Sequence, residues 1–238
     1  MSRIYSDSLF HYTNNEDALV GILEKGFQVK CSKEQFIDST GGFAYLDIPM
    51  VSFCDVPLNF IQYITYGGFA IGLSRAWANE KELAPVYYYL NSRKAVSNQL
   101  MRKMYMDYVG NKSIDSQKFL AYIKPMRKYR DGSYGVKTLP DGTKIILRKD
   151  NYIEREWRKV YLTKWNNEVF YDKCPKYVPF KCKNVTFIIV PDSKGRNSII
   201  SRLKSMATIS GRPISNTGND VESLISKVLT ISEIKKNF

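Results

Sequence analysis

Residues 9–27, LFHYTNNEDALVGILEKGF, join a predicted strand to a predicted helix and so set the fold class. LFHYT is short, apolar and aromatic, which is typical of a strand. Asn14 or Asn15 then caps a helix that Gly26 ends. The helix has apolar side chains at the three–four spacing of a buried face, at Ala18, Leu19, Ile22 and Leu23. The only histidine, His11, lies at the strand end, just before this helix.

The rest of the chain continues this mixture of short strands and helices. Strands are predicted at 50–54, 69–74 and 185–191, with a loop at 28–44 and an amphipathic helix in 97–110. No repeat or low-complexity linker divides the chain, and the elements do not alternate regularly. We therefore expect one mixed α+β domain over residues 1–238 with short strands. Its predicted additions are a helical, basic insertion at 93–135 and a C-terminal helical extension at 205–238.

The chain is strongly basic, with 36 lysines and arginines against 23 acids and a formal charge of +13. Such a field attracts nucleic acid or an acidic protein. Most basic clusters lie in residues 93–186, where tyrosines interleave with them, a pattern that suits a phosphate backbone with stacked bases and equally suits a solvated surface. The candidate nucleic-acid contacts are Arg102, Lys103, Arg127, Lys128 and Arg130.

Several classes of protein are excluded by simple patterns. No stretch approaches the roughly 18 apolar residues of a membrane span, and the N-terminus lacks a secretory signal, which predicts a cytoplasmic protein without a membrane partner. The four cysteines form no CxxC pair, and one histidine cannot complete a Cys2His2 zinc site, so we expect reduced thiols and no metal. GxGxxG, GxxxxGK[ST] and GxSxG motifs are absent.

Three short segments carry the residues best suited to chemistry: 11–13, 51–55 and 154–158. In the last segment, Glu154 and Glu156 are two residues apart, so on a strand their carboxylates point the same way. Two close carboxylates perturb each other's protonation and can stabilise positive charge. The alternative is a strand whose glutamates form ion pairs with its own arginines.

The order of these segments resembles the ADP-ribosyltransferase fold, with a split sheet and flanking helices. The shared features are HYT before a helix that ends in GF, a strand with SFC, and a distant ExE. The resemblance implies NAD as substrate, with Glu156 as the catalytic acid residue, Glu154 as its helper and His11 at a ribose. It implies further NAD contacts at Thr13, Ser52, Tyr45 and Tyr66.

A closer resemblance, over residues 8–160, is to the AbiGi family of bacterial abortive-infection proteins. It is carried by LFHYT, IPMVSFCDVPL, YGGFAIGLS with a following tryptophan, PVYY and EREWR. The family is described as an antitoxin component of phage defence, which implies a cognate toxin or a phage component as partner.

Two functions follow from these resemblances. One is an NAD-dependent ADP-ribosyltransferase that modifies nucleic acid or protein. The other is a non-catalytic antitoxin or regulator that binds nucleic acid or a partner toxin. The enzyme hypothesis requires His11, Ser52 and Glu156 to meet around one cleft. The remaining alternative is a globular protein in which these motifs are ordinary core and surface residues.

Overall fold

The structure is a computed structural model of the chain. It describes residues 7–37, 43–58, 60, 68–90, 95–111, 113–126, 135–138, 144–147, 151–161, 175–214 and 219–237. The described helices are α1 (Glu16–Lys25), α2 (Arg75–Glu80), α3 (Val96–Asn111), α4 (Ile114–Ala121), α5 (Ser193–Ser205), α6 (Asn219–Ile225) and α7 (Ile231–Asn237). None of these helices is long and apolar enough to cross a membrane.

Short strands lie between the helices. In the first half of the chain they are β1 (Ser8–Thr13), β2 (Phe27–Gln28), β3 (Lys30–Ile37), β4 (Phe43–Cys54), β5 (Phe69–Ser74), β6 (Ala84–Pro85) and β7 (Tyr87–Tyr89). In the second half they are β8 (Ile123–Pro125), β9 (Gly135–Thr138), β10 (Lys144–Leu147), β11 (Glu156–Val160), β12 (Tyr177–Val178), β13 (Val185–Val190), β14 (Thr208–Ile209), β15 (Arg212–Pro213) and β16 (Val228–Thr230).

One eight-stranded sheet organises the molecule, in the order β16–β13–β5–β1–β4–β11–β6, with β3 also paired to β4. Its pairs are antiparallel except β13 with β16, which is parallel. Strand β4 is long enough to pair with β3 over residues 43–50 and with β11 over residues 50–54. Strand β4 therefore connects the part of the sheet near β1 to a two-stranded ribbon. This β3–β4 ribbon consists of β3 and residues 43–50 of β4.

Alternating side chains of β4 face two different cores. Val51 and Phe53 belong to the first core, which the sheet forms with α1, α2 and α5 around Leu19, Trp77 and Ile199. Ile48 and Met50 belong to the second core, which α3, α4, β7 and β8 complete. That core also contains Leu46, Tyr89, Met101, Leu120, Ala121 and Ile123. The period of two along a strand thus places neighbouring residues of β4 in separate environments.

The mixed α+β class of a single domain is confirmed, and so are the predicted α1, β5 and β13. Asn15 caps α1 by accepting a hydrogen bond from the Ala18 amide at 2.8 Å. The predicted loop at 28–44 is wrong where β3 occupies residues 30–37, because β3 pairs residue by residue with β4. The predicted extension at 205–238 is more than helical, since β16 in that segment joins the main sheet beside β13.

Candidate functional site

The lone histidine is half-buried and packs against aromatic side chains of the first core. Its Nδ1 atom lies 2.8 Å from the backbone oxygen of Ser52, and its ring lies 5.3 Å from that of Phe27 and 5.6 Å from that of Phe53. Burial lowers the pKa of His11, against the opposing effect of the Ser52 hydrogen bond. The imidazole is therefore neutral, donates its Nδ1 proton to the carbonyl of β4 and packs against aromatic rings.

The two glutamates of the ExE motif do come together, but through a turn rather than a strand. Glu154 ends a single 3-10 turn, Asn151–Glu154, and Glu156 is the first residue of β11. Between them Arg155 has φ +45°, the left-handed region that L-residues seldom occupy. Both carboxylates reach the Lys124 ammonium, at 3.1 Å from Glu154 and 2.7 Å from Glu156.

Arg158 extends this pair into a group of five charged side chains, which we call the buried ion network: Glu34, Lys124, Glu154, Glu156 and Arg158. The Arg158 side chain is fully buried and places Nε 2.6 Å from Glu156 and Nη2 2.9 Å from Glu34. Its Nη1 donates to the backbone oxygen of Ala121 at 2.8 Å. The network thereby joins β3, β8 and β11 at the end of α4.

Within this network, Lys124, Glu156 and Arg158 keep one another ionised. Burial would raise the pKa of Glu156, but the nearby Arg158 and Lys124 outweigh it and lower that pKa. Burial would lower the pKa of Lys124 and of Arg158, and the glutamates raise both instead. Both carboxylate oxygens of Glu156 are occupied by these cations. Glu156 is therefore a saturated ion-pair partner and not a carboxylate held open for a substrate.

Neutral groups surround one side of the network. The Tyr88 hydroxyl accepts a hydrogen bond from the Glu156 amide at 2.8 Å, and burial raises the pKa of that phenol. Burial and the adjacent Glu154 and Glu156 raise the pKa of the Cys54 thiol, which therefore stays protonated. Within the described part of the chain, no three His, Cys, Asp or Glu side chains group as metal ligands.

The structure does not bring His11 and Glu156 to one cleft. His11 lies against Phe53 of the first core, whereas Glu156 pairs in register with Cys54, the next residue of β4, and points to the opposite face of the sheet. Ser52 contacts His11 through its backbone oxygen, and its side chain alternates with Phe53. The side chains of Ser52 and Glu156 thus lie on the opposite face of the sheet from His11.

The remaining predicted site residues are also separate. The Thr13 hydroxyl donates to the backbone oxygen of Asn15 at 3.0 Å, beside the start of α1. Tyr45 is half exposed on the β3–β4 ribbon, beneath the Lys33 ammonium at 4.7 Å from its ring centre. Arg102 and Lys103 lie on α3, with Lys103 exposed. Tyr66, Arg127, Lys128 and Arg130 lie outside the described residues.

Sequence reasoning missed two members of the buried ion network, Glu34 and Lys124. They are 122 and 32 residues away from Glu156 along the chain, so no local spacing identifies them. Arg158 had a signal: it follows Glu156 by two residues, and side chains two apart on a strand share a face. That pattern supported the ion-pair alternative for ExE, which is the arrangement found.

Comparisons with known proteins agree on one family. Residues 25–191 match the family model of the abortive phage resistance protein AbiGi, antitoxin. The chain is 25% identical, over 231 residues, to the abortive phage resistance protein AbiGi of Lactococcus lactis subsp. cremoris, in an alignment that covers 80% of this chain and 89% of that protein. No solved structure matches the chain, so the predicted likeness to ADP-ribosyltransferases has no structural relative to support it.

Proposed function

Because this chain belongs to the AbiGi family of abortive phage resistance proteins, we propose that it is the antitoxin of a phage-defence system and acts by binding its cognate toxin protein. The observation that carries the proposal is the match of residues 25–191 to a family described as an antitoxin. The partner implied is a protein, and neutralisation by binding requires a stable folded surface and no turnover.

The geometry around Glu156 supports binding over catalysis. A carboxylate that stabilises a cationic sugar must face the substrate, and its charge must be free to act there. Glu156 is 5% exposed and is paired with Arg158 and Lys124. These ion pairs support a structural role for the ExE motif, in which Glu156 helps to hold β11 to β3 and β8.

The test is neutralisation in cells. The protein encoded by the reading frame adjacent to this gene is expressed from an inducible promoter, with and without this chain, and growth is followed. We expect growth arrest by the toxin alone, rescue by this chain, and a complex of the two that copurifies and survives gel filtration. Loss of rescue with every adjacent reading frame would contradict the proposal.

Two further experiments distinguish the alternative functions from toxin binding. Labelled NAD is added to the purified chain and toxin, and transfer of label that Glu156→Gln abolishes without unfolding would favour an ADP-ribosyltransferase. Binding to RNA or DNA that weakens steeply with salt, with no affinity for the toxin, would favour a nucleic-acid regulator. Either result would replace protein binding as the function.

A further inference from the structure

Helix α3 buries a polar side chain, Asn98, on the face that packs in the second core. Asn98 is 0% exposed and lies three residues before Met101, so the two side chains share that face. Neither the amide nitrogen nor the amide oxygen of Asn98 has a hydrogen-bond partner in the part of the chain that the structure describes. A buried amide without a partner loses its bonds to water on folding and gains none in return. Asn98 therefore weakens the packing that buries it.

The apolar packing around Asn98 is less extensive than that of the main sheet. The second core is much smaller than the first, and to its buried side chains α3 contributes Met101 and α4 contributes Leu120 and Ala121. Strands β5 and β13, in contrast, are paired on both sides within the eight-stranded sheet and supply several buried residues of the first core. The attachment of α3 and α4 to β4 is therefore the weaker of the two, and the unpartnered amide lies within it.

Helices α3 and α4 are also joined to each other. The Ser116 hydroxyl of α4 donates to the Asp107 carboxylate of α3 at 2.5 Å and lies 3.7 Å from the Met104 sulfur. The Asn111 amide donates to the same carboxylate at 2.8 Å. None of these contacts involves β4, so the two helices can keep them when the pair moves away from the sheet.

The buried ion network fixes the chain just after α4. Lys124 of β8 lies three residues beyond Ala121, the last residue of that helix, and its ammonium is held by Glu154 at 3.1 Å and by Glu156 at 2.7 Å. Breaking such a network would leave buried charges uncompensated, so it resists separation far more than the second core does. Movement of α3 and α4 should therefore end at β8, which the network holds to β11.

We propose that α3 and α4 open together from β4 as one conformational unit, while β8 and the eight-stranded sheet stay folded. In the open state the Asn98 amide is hydrated, and this gain offsets part of the apolar contact that is lost with Ile48 and Met50 of β4. The open state is therefore reached at a lower free energy than global unfolding, as the least stable segments of proteins are. The proposal concerns the free chain, so it stands or falls independently of the antitoxin function.

Native-state hydrogen exchange of the full-length chain measures this opening. Helices of 16 and 8 residues are marginal in water once they leave the sheet, so their amides exchange in the open state. We expect α3 and α4 to share one level of protection, about tenfold or more below that of β5 and β13. Equal protection in all four elements, or different levels in α3 and α4, would overturn the proposal.

Ile199→Val tests whether the opening is local. Ile199 is fully buried on α5 in the first core, so loss of a methyl group there favours global unfolding without touching α3 or α4. We expect the protection of β5 and β13 to fall by about threefold or more, and that of α3 and α4 to stay unchanged. An equal fall in all four elements would show that the helices exchange only through global unfolding, which contradicts a separate unit.

Asn98→Leu tests the role of the buried amide. Leucine replaces it with an apolar side chain and leaves no polar atom unpartnered, so the protection of α3 and α4 should rise together by about tenfold or more. The matched control is Asn197→Leu, the same change at an exposed position of α5, which should leave the protection of α3 and α4 unchanged. Lower protection in Asn98→Leu would show that the folded state satisfies the amide, for instance through a bound water, and would overturn its role in the opening.

Asn98→Ala keeps the test decisive if leucine is too large for the site. Alanine removes both amide atoms without adding volume, so the protection of α3 and α4 should equal or exceed that of the wild type. A fall in that protection, as the loss of a satisfied hydrogen bond would cause, contradicts the proposed effect of Asn98.

Discussion

Glu156 illustrates how the same residue type can carry catalysis or structure according to its neighbours. In an open cleft the ExE motif would be a candidate acid pair. Here the carboxylate is buried between Arg158 and Lys124, so its charge is compensated within the protein. A buried ion pair adds little stability over an apolar substitute, but removing one partner leaves the other charge uncompensated.

We therefore predict that Glu156→Gln destabilises the protein strongly. Among the described residues, its loss leaves the fully buried Arg158 with Glu34 as its carboxylate partner, and breaking such a pair costs about 3–5 kcal/mol. Denaturant unfolding gives the free energy. The control is Glu82→Gln, which removes an exposed ion pair to Lys159 on the same strand and should change stability little. Equal effects of the two substitutions on the free energy of unfolding would show that the ExE motif does not stabilise the protein through the buried ion network.

His11 makes a second prediction, on pH. Its pKa is lowered in the fold from an ordinary value of 6.5, so the unfolded chain takes up the proton first as pH falls. Its contribution to stability is complete above about pH 6.5 and is lost below it, with a slope of at most about 1.4 kcal/mol per pH unit. As the pH falls from about 7.5 to about 5.0, the free energy of unfolding should fall for the wild type and should fall less for His11→Gln. Parallel curves would contradict a neutral imidazole whose pKa the fold lowers.

At the scale of elements, close strand packing limits side-chain size. Gly72 on β5 pairs with Phe10 of β1 and with Phe187 of β13. A Cβ atom there would lie 2.8 Å from Thr186 Oγ1 and 2.9 Å from Phe10 Cε1. Both neighbours are held by the central strands of the sheet, so the contact cannot be relieved easily.

We predict that Gly72→Ala destabilises the protein by about 1–3 kcal/mol, the usual cost of overpacking. The matched control is Gly21→Ala on α1, where an added Cβ meets no atom within 4 Å. Alanine is the better helix former by about 1 kcal/mol, so this control should stabilise. Denaturant midpoints of the two variants should therefore move in opposite directions. A shift of both in the same direction would contradict the packing described for β5.

The β3–β4 ribbon is the element that joins the two cores. Its inner side chains, including Leu46 and Ile48, meet α3 and α4, and Glu34 on β3 reaches Arg158 on β11. Helix α3 is thus supported by β4, which also forms part of the first core through Phe53. A surface on α3 therefore rests on the main sheet of the protein.

For the whole molecule, net charge is the dominant electrostatic feature. The chain has a formal charge of +13, so its excess lysines and arginines repel one another in the compact state. Salt screens that repulsion. Raising ionic strength from about 0.01 M to about 0.1 M shortens the screening length from roughly 30 Å to about 10 Å. We predict that the melting temperature of the free chain rises over this range.

The matched variant replaces three exposed lysines, Lys183, Lys194 and Lys204, with glutamine and lowers the formal charge from +13 to +10. Its melting temperature should rise less with salt, because less repulsion remains to be screened. Scanning calorimetry at matched pH measures both proteins. A wild-type melting temperature that falls with salt would show that attractive ion pairs outweigh the net repulsion.

Local features were predictable because their causes are local. The capping asparagine and three–four spacing of α1, the apolar run of β13, and the mixed order of elements all follow from nearby residues. The charge balance follows from composition alone. The AbiGi resemblance was also carried by short segments, and the family match over residues 25–191 bears it out.

The tertiary structure decided which of these segments meet. Residues 28–44 lack a clear strand pattern, yet β3 forms because β4 offers it a register over eight residue pairs. His11 and Glu156 point to opposite faces because the strands they occupy are fixed against β4 at Phe53 and Cys54, one residue apart. The sequence alone identified the chemical groups. Their partners were determined by the alternation of side chains along each strand and by the long-range pairing of strands. That pairing depends on contacts between distant segments, which no local pattern encodes.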